Sequence, residues 1–363
     1  MQAREAVGRL GRLLAGLGVL LLAAACGPGG AAPKPEAVAG KAALTLEQVI
    51  QGAKAEGKLN VAGPSNLGDD GFQKLVAAMN AKYGTSVQGT FSTSGNLPDI
   101  VSKVITERAT GGKPTWDSVL LNDSYMVTLS TEDQLEKRPY RELFGLGERA
   151  INFDSKGVGY AHQLVLPAVN ANLVPPAERP KTWDEVVDPK WQRKIAIHSA
   201  VHHLVRLSQV WGDEKATEYA KKLAALNPKI GLINETFKWL TLGETLISFT
   251  QTNSQMDTAL KRGEPVAWAI EVRPAIAPTY HCGALKDAPN SNAATLFCGF
   301  MADKAALDIW GEKVGKQSIF DPSTTLGEIY AKSPDQVVLW DDKFPAAEFE
   351  ARDKKYQGIL GFR

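Results

Sequence analysis

His202 and His203 stand side by side in "HSAVHHLVR", Arg273 closes "WAIEVR", and Ser94-Gly95-Asn96 lies where an apolar run gives way to a helical stripe. An imidazole exchanges a proton near neutral pH and ligates metals. A guanidinium fork grips a carboxylate, phosphate or sulfonate in bidentate fashion, and backbone amides at a helix N-terminus attract anions. These are groups for holding a solute. Adjacent histidines point in different directions on a helix or a strand, so His202 and His203 hold no metal by themselves and are expected to line a surface or a cleft. Asp69-Asp70 and Asp341-Asp342 read as solvated pairs for the same reason. The chain has no H-E-x-x-H and no G-x-S-x-G, and Gly111-Gly112-Lys113-Pro114 lacks the upstream Gly and the Ser/Thr of a phosphate-binding loop. Gly145-Leu-Gly147-Glu-Arg-Ala150 fits the loose dinucleotide fingerprint but follows Tyr140–Phe144 rather than a strand, and reads as a turn. No catalytic residue, metal site or cofactor is expected.

Groups of this kind act together only where elements bring them to one place. Thr45-Leu-Glu-Gln48 has the capping-box form, and Gly57 stops the helix it starts. Leu59–Ala62 then reads as a strand ending at Pro64-Ser65-Asn66, Val87–Phe91 as a second, broken at Ser92–Asn96, and Trp116–Leu121 as a third, ending at Asn122-Asp123-Ser124. Between them, Phe72, Leu75, Val76 and Met79, and again Leu97, Ile100, Val101, Val104 and Ile105, recur at helical spacing. Alternating strands and helices with short turns predict an α/β fold with a parallel sheet and right-handed crossovers, whose ligands sit at the carboxyl ends of the strands. Those ends offer Ser65, Asn66, Ser94, Gly95, Asn96, Asn122 and Ser124. A second block repeats the pattern: Lys194–Ile197 leads to Ser199 and His202, Leu246–Phe249 to Thr250 and Gln251, and Val266–Ile270 to Arg273, with Tyr280 beyond. From about Asn292 the chain reads as mainly helical.

The chain has 363 residues and a formal net charge of +1, with no basic block, so nucleic acid is not an expected partner. Residues 1–25 have the form of a signal peptide: Arg4, Arg9 and Arg12 precede the apolar, uncharged Leu13–Ala25, too short to span a bilayer. "LAAAC" at Leu22–Cys26 resembles the bacterial lipobox, in which the cysteine is lipidated, although the leucine stands four residues before Cys26 rather than three. Plain secretion with an incidental cysteine is the alternative. Residues 26–44, rich in Gly, Pro and Ala, have the composition of a tether. Cys282 and Cys298 either pair in an oxidising compartment or remain two packed thiols.

"PKTWDEVVDPKWQRKIAI" at Pro180–Ile197, preceded by Ala168–Pro176, resembles the interlobe segment of the extracellular solute-binding proteins of ABC transporters, especially the ferric-iron-binding group. Ala53–Lys58, Gly243-Glu244 and "APNSNAATLF" at Ala288–Phe297 are also similar to that family, in the same order, over about Thr45 to Gly315. The resemblance implies a type II periplasmic-binding-protein fold: lobe one at 45–164 plus 279–345, lobe two at 167–271, two hinge crossings with one near Leu166–Asn170, and a ligand held between the lobes. It also implies a monomer on the outer face of the cytoplasmic membrane, serving a permease of an ABC importer. Iron-binding members place two adjacent tyrosines shortly after the Gly-Glu, where this chain has Asn253-Ser254, though Tyr125, Tyr160 and Tyr280 stand elsewhere. The site residues therefore favour a small oxyanionic organic or phosphorylated solute, with ferric iron as the alternative. An exported enzyme, or a sensor or adhesion lipoprotein on the same fold, is a more distant reading.

Stable anchoring takes two or more acyl chains. Cys26→Ser is expected to leave the protein folded and to move it from the salt-washed membrane fraction to the soluble one, as read by fractionation and immunoblotting. Retention in the membrane fraction would contradict the lipobox reading.

Overall fold

The computed structural model describes residues 44–94, 97–315, 317–341 and 344–361. The expected signal segment, Cys26, the tether up to residue 43, and Gly95 and Asn96 fall outside them.

The first helix, Leu46–Glu56, forms where its caps require: the Thr45 hydroxyl accepts from the Gln48 amide, the Gln48 side chain accepts from the Thr45 amide, and Gly57 closes it at φ 63°. Two sheets follow. The first contains β1 (Lys58–Pro64), β2 (Gln88–Ser94), β3 (Ser118–Asn122), β4 (Ile151–Asn152) and β5 (Gly157–His162). The second contains β6 (Val165–Asn170), β7 (Ile195–His198), β8 (Lys229–Gly231), β9 (Ile247–Thr252), β10 (Val266–Trp268), β11 (Ala275–Ile276) and, near the C-terminus, β13 (Val337–Val338). β12 (Thr279–Ala284) returns to the first sheet, giving the order β2-β1-β3-β12-β5-β4, while the second runs β13-β11-β6-β9-β7-β8 with β10 paired to β6.

β1 pairs in parallel with β2 and β3, and β7 with β8 and β9, as the alternating strands and helices predict. β12 and β6 run antiparallel to their neighbours and make both sheets mixed. The predicted stripe Phe72, Leu75, Val76 and Met79 is buried on the helix Gly68–Tyr83, which lies close to β2: a Cβ on Gly89 would come within 2.7 Å of the Phe72 ring. Trp183 and Trp191 fasten the Pro180–Ile197 excursion to lobe two. Both are buried, and their indole N–H groups donate to Pro274 O (3.0 Å) and Glu185 O (2.8 Å). Cys282 and Cys298 form a disulfide that ties β12 to the buried helix Ser291–Phe300.

The chain moves between the lobes at Gln163-Leu164, at Ala277-Pro278 and once more between Val314 and Ile319, one passage more than the resemblance implies. Leu166–Asn170, read from the sequence as hinge, is part of β6. The sequence reading also carries lobe one to residue 345. Instead Ile319, Leu326, Ile329, Val337, Val338, Phe349, Tyr356 and Leu360 bury in the lobe-two core, because helices Thr325–Lys332 and Ala346–Leu360 present their apolar faces there. The passages are bonded side by side, Gln163 N to Pro278 O at 2.9 Å and His162 N to Gln317 O at 3.2 Å.

Between the lobes lies a buried ion pair. Arg206, on the lobe-two helix His202–Trp211, donates through Nη1 to Asp123 Oδ2 at 2.9 Å and through Nη2 to Asp123 Oδ1 and to Ser124 Oγ, the last at 2.7 Å. Asp123 and Ser124 open a lobe-one helix, Asp123–Thr131. The side chains of the pair are 1% and 0% exposed, and Asp123 Oδ2 also accepts from the Thr279 amide at 3.0 Å. An unpaired buried guanidinium is costly, and this one can regain water if the lobes separate. Asp123→Asn is therefore expected to open the cleft, read as a larger radius of gyration in solution scattering. An unchanged radius with a loss of about 3–5 kcal/mol in unfolding free energy would make the pair part of a rigid core.

Candidate functional site

The carboxyl ends of the parallel strands in both sheets meet around a cavity of about 390 Å³. Lobe one supplies Ser65 and Asn66 after β1 and Asn122, Ser124 and Tyr125 after β3. Lobe two supplies His198 at the end of β7, His202, His203 and Arg206 on the helix that follows, Asn234 after β8, and Thr252, Ser254 and Gln255 at the end of β9. Gln163 and Pro278 come from the passages between the lobes, and Tyr280 from β12. Proline, glycine and short polar residues end the strands here, and each turn leaves hydroxyls and amides pointing into the gap.

Of the residues read from the sequence, Ser65, Asn66, Asn122, Ser124, His202 and Tyr280 line the cavity. Ser94 ends β2, and Gly95 and Asn96 lie outside the described residues. Four residues are not brought to it. Thr250 and Gln251 are buried within β9, because the strand continues to Thr252 instead of stopping where its apolar run ends at Phe249. Thr250 Oγ1 is bonded to His203 Nδ1 at 2.8 Å, and Gln251 Nε2 donates to Thr236 Oγ1 and Ser248 Oγ. Ser199 extends the ladder of β7, its amide bonded to Gly231 O at 2.8 Å.

Arg273 departs furthest from expectation. β10 and β11 are two pieces of one strand along β6, and residues 269–274 form an excursion between them, held by the Trp183 indole. Arg273 Nη1 donates within that excursion, to Ile270 O at 2.7 Å and Val272 O at 2.9 Å. The end of this strand that meets the cavity is Ile276–Pro278. Sequence reasoning missed Arg206, although the signal was present: it lies four residues after His202, on the same helical face.

Three imidazoles dominate the lobe-two wall. Burial lowers the pKa of His198 and His202 from 6.5 to about 4 and that of His203 to about 3, with mutual repulsion adding to the effect for His202 and His203. Burial raises the Tyr125 and Tyr280 phenols to about 12. At neutral pH the lining is therefore a set of neutral donors and acceptors beside an Arg206 charge already paired with Asp123. Arg206 Nε and Asn122 Oδ1 are buried without hydrogen-bond partners among the described residues. Among the described residues no group of His, Cys, Asp and Glu is arranged to hold a metal ion. Nor, among them, is any helix long and apolar enough to cross a membrane.

The fold is shared with solved binding proteins at low sequence identity. An ABC transporter substrate-binding protein from Bradyrhizobium japonicum USDA 110 superposes with a TM-score of 0.67 at 13% identity, covering 84% of this chain and 99% of that one. Iron-bound HitA from Pseudomonas aeruginosa gives 0.65 at 16% identity, over 83% and 99%. IdiA (FutA) from Trichodesmium, in complex with iron and citrate, gives 0.64 at 15% identity, over 84% and 100%. No curated protein matches by sequence. The model of the bacterial extracellular solute-binding proteins matches residues 74–335, a stretch that contains both sheets' cavity-facing strand ends beyond β1, and the chain belongs to that family.

Proposed function

We propose that this protein captures a small oxyanionic organic or phosphorylated solute outside the cytoplasmic membrane and delivers it to the permease of an ABC importer. It would do so as a monomer held to the membrane through a lipid on Cys26. The observation that carries the solute class is the make-up of the cavity: an arginine, three histidines, amides and hydroxyls line it, with no Asp or Glu among the described lining residues. A polyamine or other organic cation would find no counter-charge there. An oxyanion would find imidazole and amide N–H groups and hydroxyls. The volume of about 390 Å³ suits a solute of modest size.

One observation favours ferric iron as a second reading. Tyr125 and Tyr280 both reach the cavity, and phenolate oxygen is a hard ligand. Against it, Asn253 at the adjacent-tyrosine position uses its Oδ1 to accept from the Leu164 amide at 3.0 Å, and Ser254 beside it offers no phenolate.

The test is a thermal-shift screen of sulfate, a sugar phosphate, spermidine and ferric citrate, with mass spectrometry of solute extracted from the native protein. A bound solute at 100 times its dissociation constant stabilises the fold by about 2.7 kcal/mol. The oxyanions are expected to raise the midpoint. Because sulfate keeps its charge and the histidines take up protons only as pH falls towards about 4, its affinity is expected to rise as pH falls from about 6 towards about 4. Arg273→Ala is expected to leave the response unchanged. Stabilisation by spermidine or ferric iron alone would overturn the reading.

A further inference from the structure

The C-terminal helix Ala346–Leu360 lies beyond residues 74–335, the stretch matched by the family model, yet it packs against the site. Phe349 from this helix and Tyr125 from lobe one hold the His202 ring, with ring centroids 5.3 and 5.7 Å away. One turn further along the helix, Asp353 Oδ1 stands 3.7 Å from His202 Nε2, an ion-pair separation too long for a hydrogen bond. Asp353 Oδ2 accepts from Gln357 Nε2 at 2.6 Å, whereas Oδ1 is buried without a hydrogen-bond partner among the described residues. A buried carboxylate oxygen lacking a donor is unusual and costly, and a small tilt of the imidazole would supply one.

We propose that Asp353 is the positioning residue for His202: it holds the Nε2 edge of the ring away from the cavity, leaves Nδ1 for the solute, and supplies the counter-charge when the imidazole is protonated. The last role rests on the oxyanion reading of the solute; the first two do not. The proton comes from bulk water, or from Asp353 itself when the carboxyl is protonated.

The surrounding charges are largely committed elsewhere. On Asp353's own helix, Arg352 is bonded to Glu348 and to Ser208, and Glu350 is exposed. On the histidine helix, Arg206 is paired with Asp123 and His203 with Thr250, while His198 follows from β7 and Tyr125 faces from lobe one. Burial raises Asp353 to about 6 and lowers His202 to about 4, so each resists being charged alone. Charged together, they offset one another.

The experiment is nitrogen-15 NMR of the histidine rings in full-length protein, with no solute added, comparing wild type with Asp353→Ala and Asp353→Asn. In the wild type His202 is expected in the Nε2–H tautomer at pH 7. Asp353→Ala is expected to mix the tautomers. Asp353→Asn, which keeps an acceptor and removes the charge, is expected to preserve the tautomer. His281, whose Nε2 lies 2.9 Å from Asn152 Oδ1 in lobe one, reports on the integrity of the fold. A His202 tautomer unchanged in Asp353→Ala, with the His281 signals in place, overturns the proposal whatever the solute is. If the NMR result holds while sulfate fails to stabilise the protein, only the oxyanion reading falls.

Discussion

A guanidinium and a carboxylate with no access to water can exist at the cleft only while the lobes are together, and this condition governs the rest of the structure. Arg206 and Asp123 come from different lobes, and removing both from water costs several kcal/mol per ion. Asp123 also accepts from the Thr279 amide within lobe one, and the cost is further offset by the two-pronged pairing and the Ser124 hydroxyl, which reach Arg206 only in this arrangement. Separation would exchange those bonds for hydration. The pair therefore fixes the register in which the lobes meet. A solute then shifts the balance only by binding the closed form better than the open one.

The same pair decides what charge the cavity presents. With Arg206 neutralised, the cavity wall depends on three imidazoles crowded at the end of β7 and the start of the next helix. Crowding and burial keep them neutral, and a neutral imidazole both donates and accepts. The tail helix enters this electrostatic scheme through Asp353 and its packing through Phe349, so a segment that looks peripheral in sequence touches the centre of the site.

The sequence discloses what depends on local periodicity. The apolar runs of β1, β3 and β7, the stripe Phe72–Met79 and the capping box at Thr45 are all legible, because each is specified within a few residues. The polar strand ends at Ser65-Asn66 and Asn122–Ser124 follow directly from them. The errors arise where distant pairing decides. Nothing near Phe249 signals that Thr250, Gln251 and Thr252 continue the strand, since hydroxyls and amides are acceptable inside a sheet when they find partners such as His203 and Thr236. Arg273 follows an apolar run yet lies on an excursion, because β6 pairs with β10 and β11 on either side of it. Helix Ala346–Leu360 mixes charge with aromatic residues, and its destination depends on a lobe-two surface more than a hundred residues earlier.

The passages between the lobes are where binding and motion meet. Gln163 and Pro278 sit in neighbouring passages, are bonded to each other through the backbone, and both line the cavity. Tyr280 follows within two residues and accepts from the Gln163 side chain at 3.1 Å. A solute in contact with these residues touches the segments whose torsions must change when the lobes part. The third passage is bonded to the first at His162, so it cannot swing independently of that contact. A solute held by Gln163 and Pro278 would therefore touch the passages between the lobes directly, without a relay through either core.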